Sequence, residues 1–193
     1  MGPELMAWAD VDAGMLAVPG GGLMNLVLDS DTFGIIATAM TPDDWNEDDL
    51  LRSIPMVQTL IDAGDPLVHA AEITRRRATA EGPDVVMLMA VGDTIVPNSS
   101  TVALASAFGV AGVGPESVPV PGVVFGDDPV TANLADGSTG ALVELAETQP
   151  EEGAAWEPAD HSYLHESVQA REVMEPFFWA VIAGEAPTVA WPE

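Results

Sequence analysis

Asp93 ends an apolar run in AVGDTIVPNSS (residues 90–100), and His161 lies in ADHSYLHE (residues 159–166). An aspartate held in a turn after a strand can orient an imidazole and stabilise its protonated form. The imidazole in turn takes a proton from a hydroxyl nucleophile. Asp93 and His161 therefore fill two of the three roles of a serine hydrolase. Each residue also has a plainer reading, since Gly-Asp after a strand often forms a turn whose carboxylate accepts nearby amides. Of the other two histidines, His69 falls in a helical stretch and reads as structural, and His165 as an exposed neighbour of the loop.

The hydroxyls near these residues are weak nucleophile candidates. Ser99 and Ser100 stand where a helix begins, where a serine commonly spends its hydroxyl on backbone amides. Ser162 adjoins His161, but adjacency in a loop does not create the required geometry. Cysteine is absent, which removes disulfides, thiolate metal ligands and a thiol nucleophile. No metal site or cofactor is expected: DDWNEDD and GDD lack the glycine and terminal glutamate of a calcium loop, and PGGGL lacks the lysine and hydroxyl of a P-loop.

The elements that must position Asp93 and His161 follow from hydrophobic patterning. A short helical segment opens the chain, and Ala13–Val18 has the length and apolarity of a buried strand, ended by Pro19–Gly22. Residues 24–71 read as irregularly helical. Thr41 is placed there as a cap and Pro42 at a first helical position, and Trp45 and nearby leucines allow this segment to serve as a cap or lid. PDVVMLMAVG reads as a parallel strand buried on both faces, followed by a helix from Asn98 to about Phe108 capped by Asn98, Ser99, Ser100 and Thr101. Residues 109–140 form a long excursion, and GALVELAET is a third strand. The final helix, Ser167–Ala183, has Val173, Met174, Phe177, Phe178, Val181 and Ile182 assigned to its core face, with a kink or break expected at Pro176. Strands alternating with helices predict a single α/β domain over 1–193: a mainly parallel sheet with flanking helices.

Four stretches resemble the α/β-hydrolase superfamily in its bacterial lipase and esterase branches. MAVGDTIVPNSSTVALASAFGV is similar to the segment carrying the triad acid, which the resemblance places on Asp93. ADHSYLHE resembles the final loop, placing the base on His161 rather than His165. GMLAVPGGGL resembles the strand and glycine turn after the nucleophile helix, and VQTLIDAGDPLVHA the helix before the acid strand, with its Gln and Asp-Pro. The order of acid and base agrees. The family's Gly-x-Ser-x-Gly elbow does not occur, so the chain looks like the C-terminal half of such a hydrolase. The resemblance implies a carboxylic ester hydrolase acting on a small or lipid-like ester through an acyl-serine, if a nucleophile is supplied. The alternative is a non-catalytic assembly or binding module. Either way, the first strand would expose an edge open to another chain, so a homo-oligomer or a complementing N-terminal segment is the expected partner.

Composition narrows the partners further. Thirty-one acidic residues stand against five arginines and no lysine, a net charge of −26. Such a field repels phosphate backbones and anionic membranes, so nucleic acid is not an expected partner. The same excess suits solubility in high salt, where self-repulsion is screened within a few ångströms, although a GC-rich genome produces a similar bias. The N-terminus carries Glu4 and Asp10 in place of a positive region, and its apolar stretch is broken by Pro19 and three glycines; neither a signal peptide nor a membrane span is expected in the chain.

Overall fold

The computed structural model describes all 193 residues. Its centre is a four-stranded parallel sheet of β1 (Ala13–Ala17), β2 (Asp84–Ala90), β3 (Ala111–Val113) and β5 (Gly140–Leu145), in the order β1-β2-β5-β3. Between β3 and β5 lies β4 (Val130–Thr131), which pairs antiparallel with β8 (Thr188–Val189). After β5 come β6 (Glu147–Thr148) and β7 (Glu157–Pro158), which pair with each other. No single helix is long and apolar enough to cross a membrane.

β2 reads as a continuous apolar run because neither face meets water. Val85 to Ala90 are all fully buried, as expected for an inner strand of a parallel sheet. Alternate side chains enter two cores. Val86, Leu88 and Ala90 join Val143, Leu145 and Phe177 on the side of α7 (Val168–Ala183). Val85, Met87 and Met89 join Leu142 and the side chains of α1 (Gly2–Trp8), α5 (Pro66–Arg76) and α6 (Asn98–Phe108), among them Met6, Ile73 and Phe108. The result is three layers, helix on sheet on helix.

The remaining helices, α2 (Leu23–Asp29), α3 (Gly34–Met40) and α4 (Glu47–Ile61), contribute little to these cores. α2 and α4 are tied down instead through Asp65. Its carboxylate, completely buried, accepts the amides of Gly22 (2.9 Å) and Leu23 (2.7 Å) at the start of α2 and of Leu67 (2.9 Å) at the start of α5. The Gln58 side chain donates to it as well, at 2.7 Å, while its own oxygen accepts the Met24 amide. Burial alone would raise the Asp65 pKa, but these donors outweigh it and hold the carboxyl below its ordinary value. The Gln and Asp-Pro of VQTLIDAGDPLVHA are thus a brace between helix N-termini.

Several local expectations are corrected. Thr41 is not an N-cap: its hydroxyl donates to Ala37 O at the end of α3, and the next helix starts at Glu47. Asn46 caps that helix in a reciprocal box with Asp49, a pairing strong enough to displace the start by several residues. The excursion 109–140 contains β3, an edge strand of the main sheet too short to show a period. α7 runs unbroken through Pro176, held by buried Val173 and Phe177 on either side of it. Its buried stripe, Ala170, Val173 and Phe177, is flanked by half-buried Met174, Phe178 and Val181 and leaves Ile182 exposed at 73%.

Two stability predictions follow from these contacts. Leu88→Ala should lower the unfolding free energy by about 2–5 kcal/mol, measured by denaturant titration, because no water can reach the hole it leaves. Asp65→Asn should cost about 2 kcal/mol at neutral pH through amide donors left poorly paired. Because the folded-state pKa is depressed, the Asp65 contribution is present above the ordinary carboxylate value and is lost as pH falls through the folded one. The gap between the Asp65→Asn variant and the parent chain should therefore narrow on acidification below about pH 4.

Candidate active site

The carboxyl edge of the sheet is where side chains from successive strand ends can converge. β2 ends at Ala90, and the chain turns through Gly92, whose φ of +82° suits glycine. Asp93 follows. Its Oδ1 accepts the amides of Ile95 (2.8 Å) and Val96 (3.0 Å), which turns the other oxygen toward the end of β5. One carboxylate oxygen thus makes the plain turn and the other is left free of backbone amides.

His161 arrives from the other side. After β5, the β6–β7 hairpin closes and Ala159 donates to Ala146 O, bringing the loop back over the sheet edge. Asp160 accepts the Ser162 amide at 2.8 Å and, through its carbonyl, the amide of Leu164, whose side chain is fully buried. This turn presents the imidazole so that Nδ1 lies 2.8 Å from Asp93 Oδ2. The Asp93 side chain is 2% exposed and that of His161 26% exposed. With Nδ1 donating to the carboxylate, Nε2 is the nitrogen left to accept, and it makes no hydrogen bond within the chain.

Sequence reasoning missed what braces this turn. Asn98 was expected as a helix cap; its amide nitrogen instead donates to Ala90 O at 2.7 Å, and its oxygen accepts the Gly92 amide at 2.8 Å. Nor do the following hydroxyls cap α6, which starts without a side-chain cap. Ser100 donates to Gly21 O and Thr101 to Pro19 O, both at 2.7 Å, stitching α6 to the loop after β1. Gly20 is needed there, because a Cβ would stand 2.7 Å from Ser100 Oγ. Ser99 donates to Asp29 at 2.8 Å. The asparagine closing GDTIVPN was the available signal, but asparagine before a helix reads first as a cap.

No serine or threonine of the chain hydrogen-bonds His161, and the other histidines lie apart from the pair. His69 accepts the Trp8 indole N–H on Nδ1 at 3.1 Å, so its Nε2–H donates to Ala63 O, joining α1 to α5. His165 is exposed and 3.6 Å from Glu166. No three histidine or acidic side chains converge as a metal-binding group. A cavity of about 700 Å³ lies at the opposite, amino-terminal edge of the sheet among Asp12, Asp84 and Asp136. Two of its carboxylates serve the fold: Asp84 accepts the Thr139 amide, and Asp136 the Gly82 amide with buried Arg77 at 3.5 Å.

No family model, curated protein or solved structure matches the chain. The chemistry at this edge rests on its geometry. An imidazole fixed through Nδ1 by a shielded carboxylate, with Nε2 free, can accept a proton from a hydroxyl or activated water and return it to a leaving group.

Asn98→Ala should release both the Ala90 carbonyl and the Gly92 amide. The expected result is faster hydrogen exchange at Gly92 and about 1 kcal/mol lost in stability. Unchanged exchange at Gly92 would show that the turn is held by Asp93 alone.

Proposed function

We propose that the chain carries the acid and base of a carboxylic ester hydrolase of the α/β-hydrolase superfamily, in its lipase and esterase branches. The observation that carries this reading is the 2.8 Å contact between Asp93 Oδ2 and His161 Nδ1. Asp93 orients the ring and stabilises imidazolium; His161 deprotonates a serine for attack on the ester carbonyl, then protonates the departing alkoxide. Acid and base follow in that family's order, each in a loop at the carboxyl end of a parallel strand.

An uncharged or apolar ester suits the surroundings. α2 and α3 adjoin the Asp93 turn, where Ser30 Oγ donates to Ile95 O at 2.7 Å, and α3 exposes Ile35, Ile36 and Met40. The net charge of −26 disfavours an anionic substrate. The serine and the donors that stabilise the oxyanion come from a second polypeptide segment in this reading. β1 offers a place for one: it is hydrogen-bonded to β2 alone and its other edge is unpaired. A second copy of the chain is the other occupant of that edge.

The test is fluorophosphonate labelling of the folded chain, alone and in extract of its native cells, beside Asp93→Asn and His161→Ala variants. Labelling of a serine in the assembly, lost in both variants, supports the proposal; each variant should lower the labelling rate at least about 10³-fold. Absence of label from every assembly containing the folded chain would overturn it in favour of a non-catalytic assembly or binding module. Sedimentation velocity should show self-association or a bound partner segment, and a clean monomer in both preparations would remove the role given to the β1 edge.

A further inference from the structure

Glu144 stands in the interior of β5, facing the same side as Leu142, with no exposed surface. Its Oε2 accepts the amides of Ser117 (2.6 Å) and Val118 (2.8 Å). Its Oε1 has no partner, although it too is buried. A half-satisfied buried carboxyl is costly, and strands of this kind normally hold apolar residues there. Burial pushes the Glu144 carboxyl up, the two amides pull it down and Glu116 pushes it up again, with the net direction upward. No arginine compensates it: the five lie at positions 52, 75, 76, 77 and 171, and none borders the space beside Glu144.

That space is a cavity of about 310 Å³ bordered by Glu144, Glu147, Trp156, Trp191, Ser117 and Pro115. Two tryptophans and two carboxyl groups with no cation among them form a lining matched to a positively charged organic group. Indole faces attract cations through their quadrupole, and the carboxyl groups supply charge. The volume is roughly that of ten water molecules in the liquid, far more than a bare metal ion fills. Trp191 is built into this wall by the backbone. Its ring lies over Gly114, where a Cβ would come within 2.0 Å of it, and Gly114 follows directly on Val113, the register partner of Val143 beside Glu144. Trp156 is half exposed at the rim and is the side chain with room to move as a ligand enters.

We infer that this cavity is a binding site for an organic ammonium group, held between Trp156 and Trp191 and neutralising Glu144. It is independent of the proposed hydrolase chemistry, since Asp93 and His161 do not border it.

The experiment is a titration of the folded chain with tetramethylammonium chloride in concentrated NaCl, exchanging one salt for the other at constant ionic strength. Binding is read by calorimetry and by tryptophan fluorescence. A saturable response is expected that NaCl alone does not give. Glu144→Gln keeps the shape of the side chain and an oxygen for the two amides, and should weaken binding at least about tenfold. Trp156→Ala, a change at an exposed position, should weaken it several-fold without lowering the melting temperature. No saturable response, or an equal response in folded Glu144→Gln protein, would overturn the inference.

Discussion

The constraint on which the molecule depends is the complete burial of β2. A strand sealed on both faces must be covered by helices on each side and paired along both edges, and the central elements answer these demands. α7 closes one face; α1, α5 and α6 close the other; β1 and β5 supply the hydrogen bonds. Because parallel strands are joined by crossovers, their carboxyl ends gather at one edge. Asp93 and His161 meet there as a consequence of how β2 and β5 are buried and paired, although 68 residues separate them in the chain.

Polar side chains that bind backbone groups complete what the apolar core begins. Asp65 gathers the N-termini of α2 and α5, which carry unpaired amides and partial positive charge. Ser100 and Thr101 take the carbonyls of the glycine loop, and Asn98 takes both the carbonyl that ends β2 and the amide that follows it. Each removes a backbone group from competition with water. Ser100 and Thr101 join the loop after β1 to α6, and Asn98 joins the end of β2 to the same helix and braces the turn that carries Asp93.

The parts legible in sequence were those with a strong local signal. VVMLMA could be nothing but a buried strand, and the 98–108 helix and the placement of Asp93 and His161 at strand ends followed from apolar runs and turn residues. Several failures share a physical cause: local letters do not show which partner a side chain or strand finds in the folded chain. Ser100 looks like a cap until β1 packs beside it, and its partner Gly21 is 79 residues away. β3 has three residues and no period of its own; it becomes a strand only because β5 offers an unpaired edge. Pro176 reads as a break because the local cost is visible in sequence and the packing of Val173 and Phe177 that offsets it is not. Glu144 was passed over as one polar letter in an apolar run.

Glu144 also separates two kinds of negative charge in this chain. Most of its 31 carboxyl groups belong to an acidic surface, where salt screens them over about a Debye length and each contributes little. The Glu144 carboxyl within β5 is shielded from bulk solvent, so its charge is less screened toward the cavity beside it than a surface carboxylate would be. The β6–β7 hairpin lies between this group and the candidate active site: Glu147 and Trp156 border the cavity, and His161 follows β7 by three residues. The hairpin thus gives the cavity part of its wall and returns the chain toward the sheet edge, while Asp93 and His161 themselves stay clear of the cavity. Loops at the edge of a sheet can carry separate features in this way because the strands beneath them fix where their ends lie.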